Sequence, residues 1–224
     1  MSYPRRSPAH QSQAALEPQW GERFRMTVPL CFTTPEEEHA LLSDLALGDL
    51  SALLRFGCKG RGTADWMAAR GLPVPPSIYG WERLVDGGLL VRVDSREFMV
   101  ENDLGGGCAE TLIADLGPGA DGVYQVQRQD AALVLAGRRA AEVLAQTCGV
   151  DFSETGDDFL KTRVALTSCS VKREPLGNVP AYRLWCEPSY GEYLFAALLE
   201  IVQELGGGPV GWECLEDAVN HAPD

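Results

Sequence analysis

Apolar residues recur along this chain with two periods, and each period marks a different kind of element. A helix start is written at Thr34-Pro35-Glu36-Glu37, where Thr34 can cap, Pro35 presets φ and Glu37 stands at the capping-box position. Ala40, Leu41, Leu42 and Leu45 then give that helix one apolar side. Residues 50–59 read as a strand, followed by Gly60 and a short helix through Arg70 that stops at Gly71. Pro73, Pro75 and Pro76 hold the next stretch extended. Residues 89–93 and 98–100 form a predicted hairpin turning on Asp94 and Ser95, and residues 108–116 form a helix closed by Gly117. A second hairpin is predicted from 123–128 and 131–136, then a helix over 138–146 and strands near 162–171 and 181–186. Tyr190, Tyr193, Leu194, Ala197, Leu198, Ile201, Val202 and Leu205 fall at helical spacing and mark a long final helix that Gly206 ends.

Gly60-Arg61, Ala64 and Met67-Ala68 recur 77 residues later as Gly137-Arg138, Ala141 and Leu144-Ala145, each time after a strand and before a helix. This suggests an α+β chain of two fused, pseudo-repeated α/β units, with halves at about 44–122 and 123–219 inside a domain of 34–224. Residues 1–33 show no clear period and read as a flexible N-terminal tail rather than a targeting peptide.

Composition narrows the function. Of 224 residues, 19 are basic and 32 acidic, a formal charge of −13 that disfavours nucleic acid as a partner. No run approaches the roughly 18–20 apolar residues of a membrane helix, so a cytoplasmic protein without membrane partners is expected. The seven cysteines are separated by 17 residues or more, with no CxxC and three scattered histidines, so no metal site is expected. The odd count reads as reduced, mostly buried thiols.

Gly117 to Gly122 satisfies GxGxxG, but a strand-like stretch follows where a dinucleotide loop needs a helix N-terminus. Gly206-Gly207-Gly208-Pro209 is a helix stop with no GK[ST] beyond it. No GxSxG occurs, and Asp157-Asp158 reads as a solvated pair. No catalytic residues are expected from these patterns.

Asp49-Leu50-Ser51, then Phe56-Gly57-Cys58-Lys59-Gly60 and Ala64, resembles the opening of the folate-binding fold of glycine-cleavage T-proteins. Val134-Leu135-Ala136-Gly137, Cys148-Gly149-Val150-Asp151-Phe152, Thr162-Arg163-Val164-Ala165 and Pro188-Ser189-Tyr190-Gly191-Glu192-Tyr193-Leu194 are more similar to the gamma subunit of heterotetrameric sarcosine oxidase, of the same superfamily. The resemblance covers roughly 44–219 and implies the T-protein-like fold without its C-terminal barrel. T-proteins hold the pterin with a glutamate in the strand before the last helix of this fold, and that place here is taken by Arg183. Their folate-contacting arginine falls near Leu215, and their catalytic aspartate around Asp86 or Gly87. An arginine only donates, so it cannot accept from a pterin's amino and ring N–H groups.

The resemblance thus implies a non-catalytic subunit packed against larger flavoprotein subunits of a sarcosine-oxidase-like complex. Such a complex would serve oxidative demethylation, with tetrahydrofolate capturing the released carbon. The alternative is a stand-alone tetrahydrofolate-binding or one-carbon-transfer protein, with Asp86, Tyr182, Arg183 and Trp185 lining the pocket. A third reading is a fold-only protein with some other binding role. Against the pocket stand simpler roles: Tyr182 and Trp185 alternate across a strand so that one packs in a core, Arg183 is an exposed strand cation, and Asp86 beside Gly87-Gly88 is a turn residue.

Overall fold

The computed structural model describes residues 5–152 and 154–220. The first stretch of the chain carries β1 (Arg5–Arg6), α1 (His10–Ala14), β2 (Gln19–Arg23), β3 (Met26–Cys31), α2 (Pro35–Asp44) and β4 (Ala46–Asp49). Next come β5 (Arg55–Lys59), α3 (Thr63–Ala68), β6 (Trp81–Arg83), β7 (Leu89–Asp94), β8 (Glu97–Glu101), α4 (Ala109–Leu116) and β9 (Tyr124–Val126). The last stretch holds β10 (Ala131–Ala136), α5 (Ala140–Thr147), β11 (Phe159–Val164), β12 (Thr167–Arg173), β13 (Ala181–Cys186), α6 (Gly191–Glu204), β14 (Gly208–Pro209) and α7 (Trp212–Asn220).

These elements separate into two units. One takes the chain up to Ala52 and from Asp130 onward; the other is Leu53–Gln129. The boundaries thus differ from the halves 44–122 and 123–219, because β4 lies beside β10 and so joins the C-terminal residues. Of the predicted 50–59 strand only Arg55–Lys59 is strand, as β5; residues 50–54 turn the chain out of β4, which ends at Asp49 in a different sheet. Residues 123–128 and 131–136 form no hairpin either: β9 pairs with β5, whereas β10 pairs with β13 and β4. β10 is buried along its whole length and lies between two antiparallel neighbours as an inner strand.

In the first unit the sheet order is β11-β12-β13-β10-β4-β14. Leu47, Leu133, Leu135, Val171 and Leu184 share one face of it, and α5 and α6 cover that face with Val143, Leu144, Leu194, Phe195, Leu198 and Val202. Leu194, Leu198 and Val202 are the predicted stripe of α6, but Tyr190 and Tyr193 point outward, 53% and 50% exposed. Nor is that helix the last, since α7 follows the Gly208–Pro209 turn. In the second unit Phe56, Phe98, Val100, Met67 and Leu112 form a separate core over the sheet β6-β7-β8-β5-β9. Three sheets, none closed into a barrel among the described residues, make this a mixed α/β architecture.

The capping box is present as written: Glu37 N–H donates to Thr34 Oγ1 at 3.3 Å, and Thr34 N–H to Glu37 Oε2 at 3.2 Å. The N-terminal segment differs from the tail expected over 1–33. Its described part forms a three-stranded sheet, β1-β3-β2, with Met26 and Val28 buried. The Ser7 hydroxyl and the Gln13 amide both donate to the buried carboxylate of Asp49, which also receives Ser51 N–H at 2.8 Å. Arg23 forms a two-pronged pair with Glu216 on α7, at 2.7 and 2.9 Å. Charge-assisted bonds to fixed partners are strong, and no periodicity within the segment announces them.

Candidate functional site

Strand β13 carries three of the four residues that the sequence nominates, and its pleat divides them. Tyr182, Leu184 and Cys186 point to the helix-covered face, where the Tyr182 ring meets Phe152 edge-on at 5.5 Å. Arg183 and Trp185 point the other way. Tyr182 is therefore a core residue of the helix side and shares no face with Arg183 and Trp185.

On the second face, register sets Lys172 of β12 directly opposite Arg183, and Ser170 opposite Trp185. Two cations facing each other across a ladder repel. Glu174, two residues beyond Lys172 and on its side of the pleat, meets both: Lys172 Nζ lies 3.2 Å from Oε2 and an Arg183 Nη lies 3.9 Å from Oε1. Lys172 Nζ also donates to the Arg173 carbonyl at 3.1 Å. All three residues are 5% exposed or less, so Arg183 is a buried cation rather than an exposed one. A buried charge persists only when paired, which explains why the three occur together. Trp185 completes the patch, packed at 5.4 Å from Phe159 of the edge strand β11.

Leu215, near which the folate arginine would fall, is fully buried on α7. It lies over Gly48, where an added Cβ would come within 3.0 Å of its side chain and 2.9 Å of Val134. That face of the sheet at β4 is thus closed by leucine packing.

Asp86 belongs to the other unit. Its Oδ1 accepts Gly88 N–H at 3.1 Å, and Gly87 N–H closes on the Leu84 carbonyl at 2.9 Å, a turn of the kind the Gly-Gly pair predicts. Burial pushes the Cys108 thiol up to about 11, and the neighbouring Asp86 carboxylate adds to the shift.

Two surface depressions lie elsewhere. One, of about 470 Å³, runs over α5 and the loop after it, with Glu142, Cys148, Asp151 and Phe152 on its walls. The other, of about 580 Å³, lies in the second unit beside Arg61, Trp66 and Asp121. Neither is lined by Asp86, Tyr182, Arg183 or Trp185. Among the described residues no cluster of His, Cys, Asp or Glu could hold a metal ion, and no helix is long and apolar enough to cross a membrane.

Sequence reasoning passed over Lys172 and Glu174. Their signal was present as a run of charges, Lys172-Arg173-Glu174, directly after a strand predicted to end at Val171. Charged residues inside a strand are read as its end unless the partner strand is known to carry the opposite charge.

No protein-family model matches this sequence, and no curated protein matches it. Solved structures do resemble it. The glycine cleavage system aminomethyltransferase T from Bartonella henselae superposes with a TM-score of 0.75 at 17% identity, over 96% of this chain and 62% of that one. The chain thus spans less than two thirds of that protein's length. A chain of the heterotetrameric sarcosine oxidase from Corynebacterium sp. U-96, solved in complex with pyrrole 2-carboxylate, superposes with a TM-score of 0.64 at 21% identity, over 92% of this chain and 98% of that one. The chain therefore has the T-protein-like fold, which aminomethyltransferase T shares with a chain of sarcosine oxidase.

Proposed function

We propose that this chain is a non-catalytic subunit of a flavoprotein complex of the sarcosine oxidase kind, acting in oxidative demethylation and one-carbon metabolism. The observation that carries the reading is what occupies the two places where T-proteins contact folate. One holds Arg183, a donor-only side chain paired with Glu174, whose carboxylate also meets Lys172. The other is near Leu215, packed without exposure over Gly48. Pterin donors need an acceptor, and the carboxylate on this face already serves two internal cations, so these residues do not fit the usual folate contacts. The match over nearly the whole of a chain from a heterotetrameric oxidase supports a role among other subunits. The Gly60 and Gly137 corners, 77 residues apart, support reading the two units as copies of one α/β plan.

Affinity purification of the full chain from its native source tests the proposal. A larger, yellow flavoprotein should co-elute; a solitary, colourless monomer would overturn it.

A second reading keeps tetrahydrofolate as a ligand, because Arg183, Lys172 and Trp185 share one face and a cation there can meet a glutamyl carboxylate. Tyr182 does not share that face, because it points to the helices. Titration with tetrahydrofolate should then quench tryptophan emission, and Arg183→Ala, checked for folding by circular dichroism, should weaken the response at least tenfold. A silent titration at millimolar ligand removes this reading and leaves the first untouched.

A further inference from the structure

Cys169 of β12 and Cys186 of β13 are direct cross-strand partners. No other two cysteines among the described residues stand in that relation. The hydrogen-bond pattern of this ladder fixes what kind of pair they are. Leu176 and Val179 exchange both backbone bonds, at 2.9 and 3.0 Å, and Glu174 N–H donates to Ala181 at 2.9 Å. Bonded and non-bonded pairs alternate along an antiparallel ladder, so Lys172/Arg183 and Ser170/Trp185 are bonded and Cys169/Cys186 is not. Non-bonded pairs bring their Cα atoms to about 4.5 Å with side chains on the same face, inside the range that a disulfide spans. Both thiols are buried, 4% and 3% exposed, which excludes bulky oxidants and leaves a small neutral one as the reagent to test.

We propose that Cys169 and Cys186 form a reversible dithiol–disulfide pair that hydrogen peroxide closes within the sheet. The inference rests on strand register and burial and not on the proposed function. The two sulfurs are unequal: the Cys186 S–H donates to Cys169, which holds the Cys169 thiol below its ordinary range and pushes the Cys186 thiol far up. Cys169 is therefore the attacking sulfur. It bonds to one peroxide oxygen as the O–O bond breaks, and the released hydroxide leaves as water with the thiol proton. The product is a sulfenic acid on Cys169. The Cys186 sulfur then bonds to that sulfur, the S–O bond breaks, and a second water carries off the hydroxyl and the Cys186 proton. The two sulfurs lose two electrons and the peroxide gains them.

The remaining cysteines offer an internal contrast. Cys58 and Cys214 are buried without a facing thiol, and burial pushes each up to about 12. Cys31, Cys108 and Cys148 are half-exposed and open to larger reagents.

The full-length protein is treated with hydrogen peroxide, denatured in excess iodoacetamide, and digested without reductant for mass spectrometry. A peptide joining Cys169 to Cys186 should exceed any other crosslink at least tenfold and vanish after dithiothreitol. Recovery of both residues alkylated, at a peroxide dose that oxidises Cys31 or Cys148, would overturn the proposal, as would sulfinic acids without the crosslink. In Cys186→Ser the crosslink should disappear, and after peroxide treatment and denaturation in dimedone Cys169 should carry the dimedone adduct of its sulfenic acid. A crosslink from Cys169 to any other cysteine in that variant would overturn the pairing. The mapping of the unmodified sequence needs no variant to fold.

Discussion

Strand β10 runs into Gly137 and α5, as β5 runs into Gly60 and α3, and the two corners differ in what stands beside the glycine. Both residues are left-handed, with φ of 107° and 133°. In both, the carbonyl of the glycine accepts the first amide of the helix, from Ala140 at 3.1 Å and from Thr63 at 3.3 Å. A Cβ on Gly137 would lie 2.3 Å from the Asp44 carbonyl oxygen, 2.4 Å from its carbon and 2.8 Å from Leu45 N. A Cβ on Gly60 would lie 2.0 Å from the Gly122 carbonyl oxygen and 2.9 Å from its carbon. By distance alone the Gly60 corner is the tighter. Asp44 and Leu45, however, join α2 to β4 and are held by Arg139 N–H at 3.0 Å and Gly208 N–H at 3.3 Å. Gly122 ends a Pro/Gly loop exposed over 117–121; its carbonyl accepts Gly62 N–H at 3.1 Å and Val123 follows it into the core, so only the loop side can give way. The comparison teaches that the stiffness of the neighbour, and not the shortest distance, sets what a side chain would cost.

Three variants can break or sharpen that comparison. Gly137→Ala should cost the most, about 3 kcal/mol in urea unfolding, from backbone strain plus a neighbour that cannot move. Gly60→Ala should cost about 1–2 kcal/mol, since the loop can retreat and strain remains the main penalty. Equal losses, or a larger one at Gly60, would show that distance governs after all. The turn between β11 and β12 gives the case of strain without a clash: Ala165 and Leu166 have φ of 45° and 64°, and Leu166 is 85% exposed. Replacing them with Asn and Gly should raise stability by about 1 kcal/mol, read as a higher melting temperature. A loss there would mean that the packing of Ala165 against the helix-side core is worth more than the strain.

That turn also shows why part of the fold could not be read from the residues. Thr34 and Glu37 bond to each other within four residues, and the largely apolar run 181–186 is bounded by Pro180 and by Glu187-Pro188, so α2 and β13 were both legible. The β7–β8 pair was legible for the same reason, its turn falling one residue later than expected. By contrast, the β11–β12 hairpin and the β2–β3 hairpin turn on Ala165-Leu166 and Phe24-Arg25, all with positive φ and none of them Asn or Gly. Without that signature two strands read as one, or as none. The site divides in the same way. Alternation along β13 separates Tyr182 from Trp185, a local property. Pairing of Lys172 and Glu174 with Arg183, and of Cys169 with Cys186, follows from which strands are neighbours, and no single segment encodes that.

The hold of Ser7 and Gln13 on Asp49 reaches further than a surface contact would. Asp49 ends β4, an inner strand of the six-stranded sheet, and is 4% exposed. Trimming the first sixteen residues would remove two side-chain donors from a carboxylate that has nowhere to find water, while Ser51 N–H stayed behind. Damage done at the amino end would thus be registered in the middle of the sheet. Shortened versions or end-fused tags should be judged by how well that interior carboxylate remains solvated by protein.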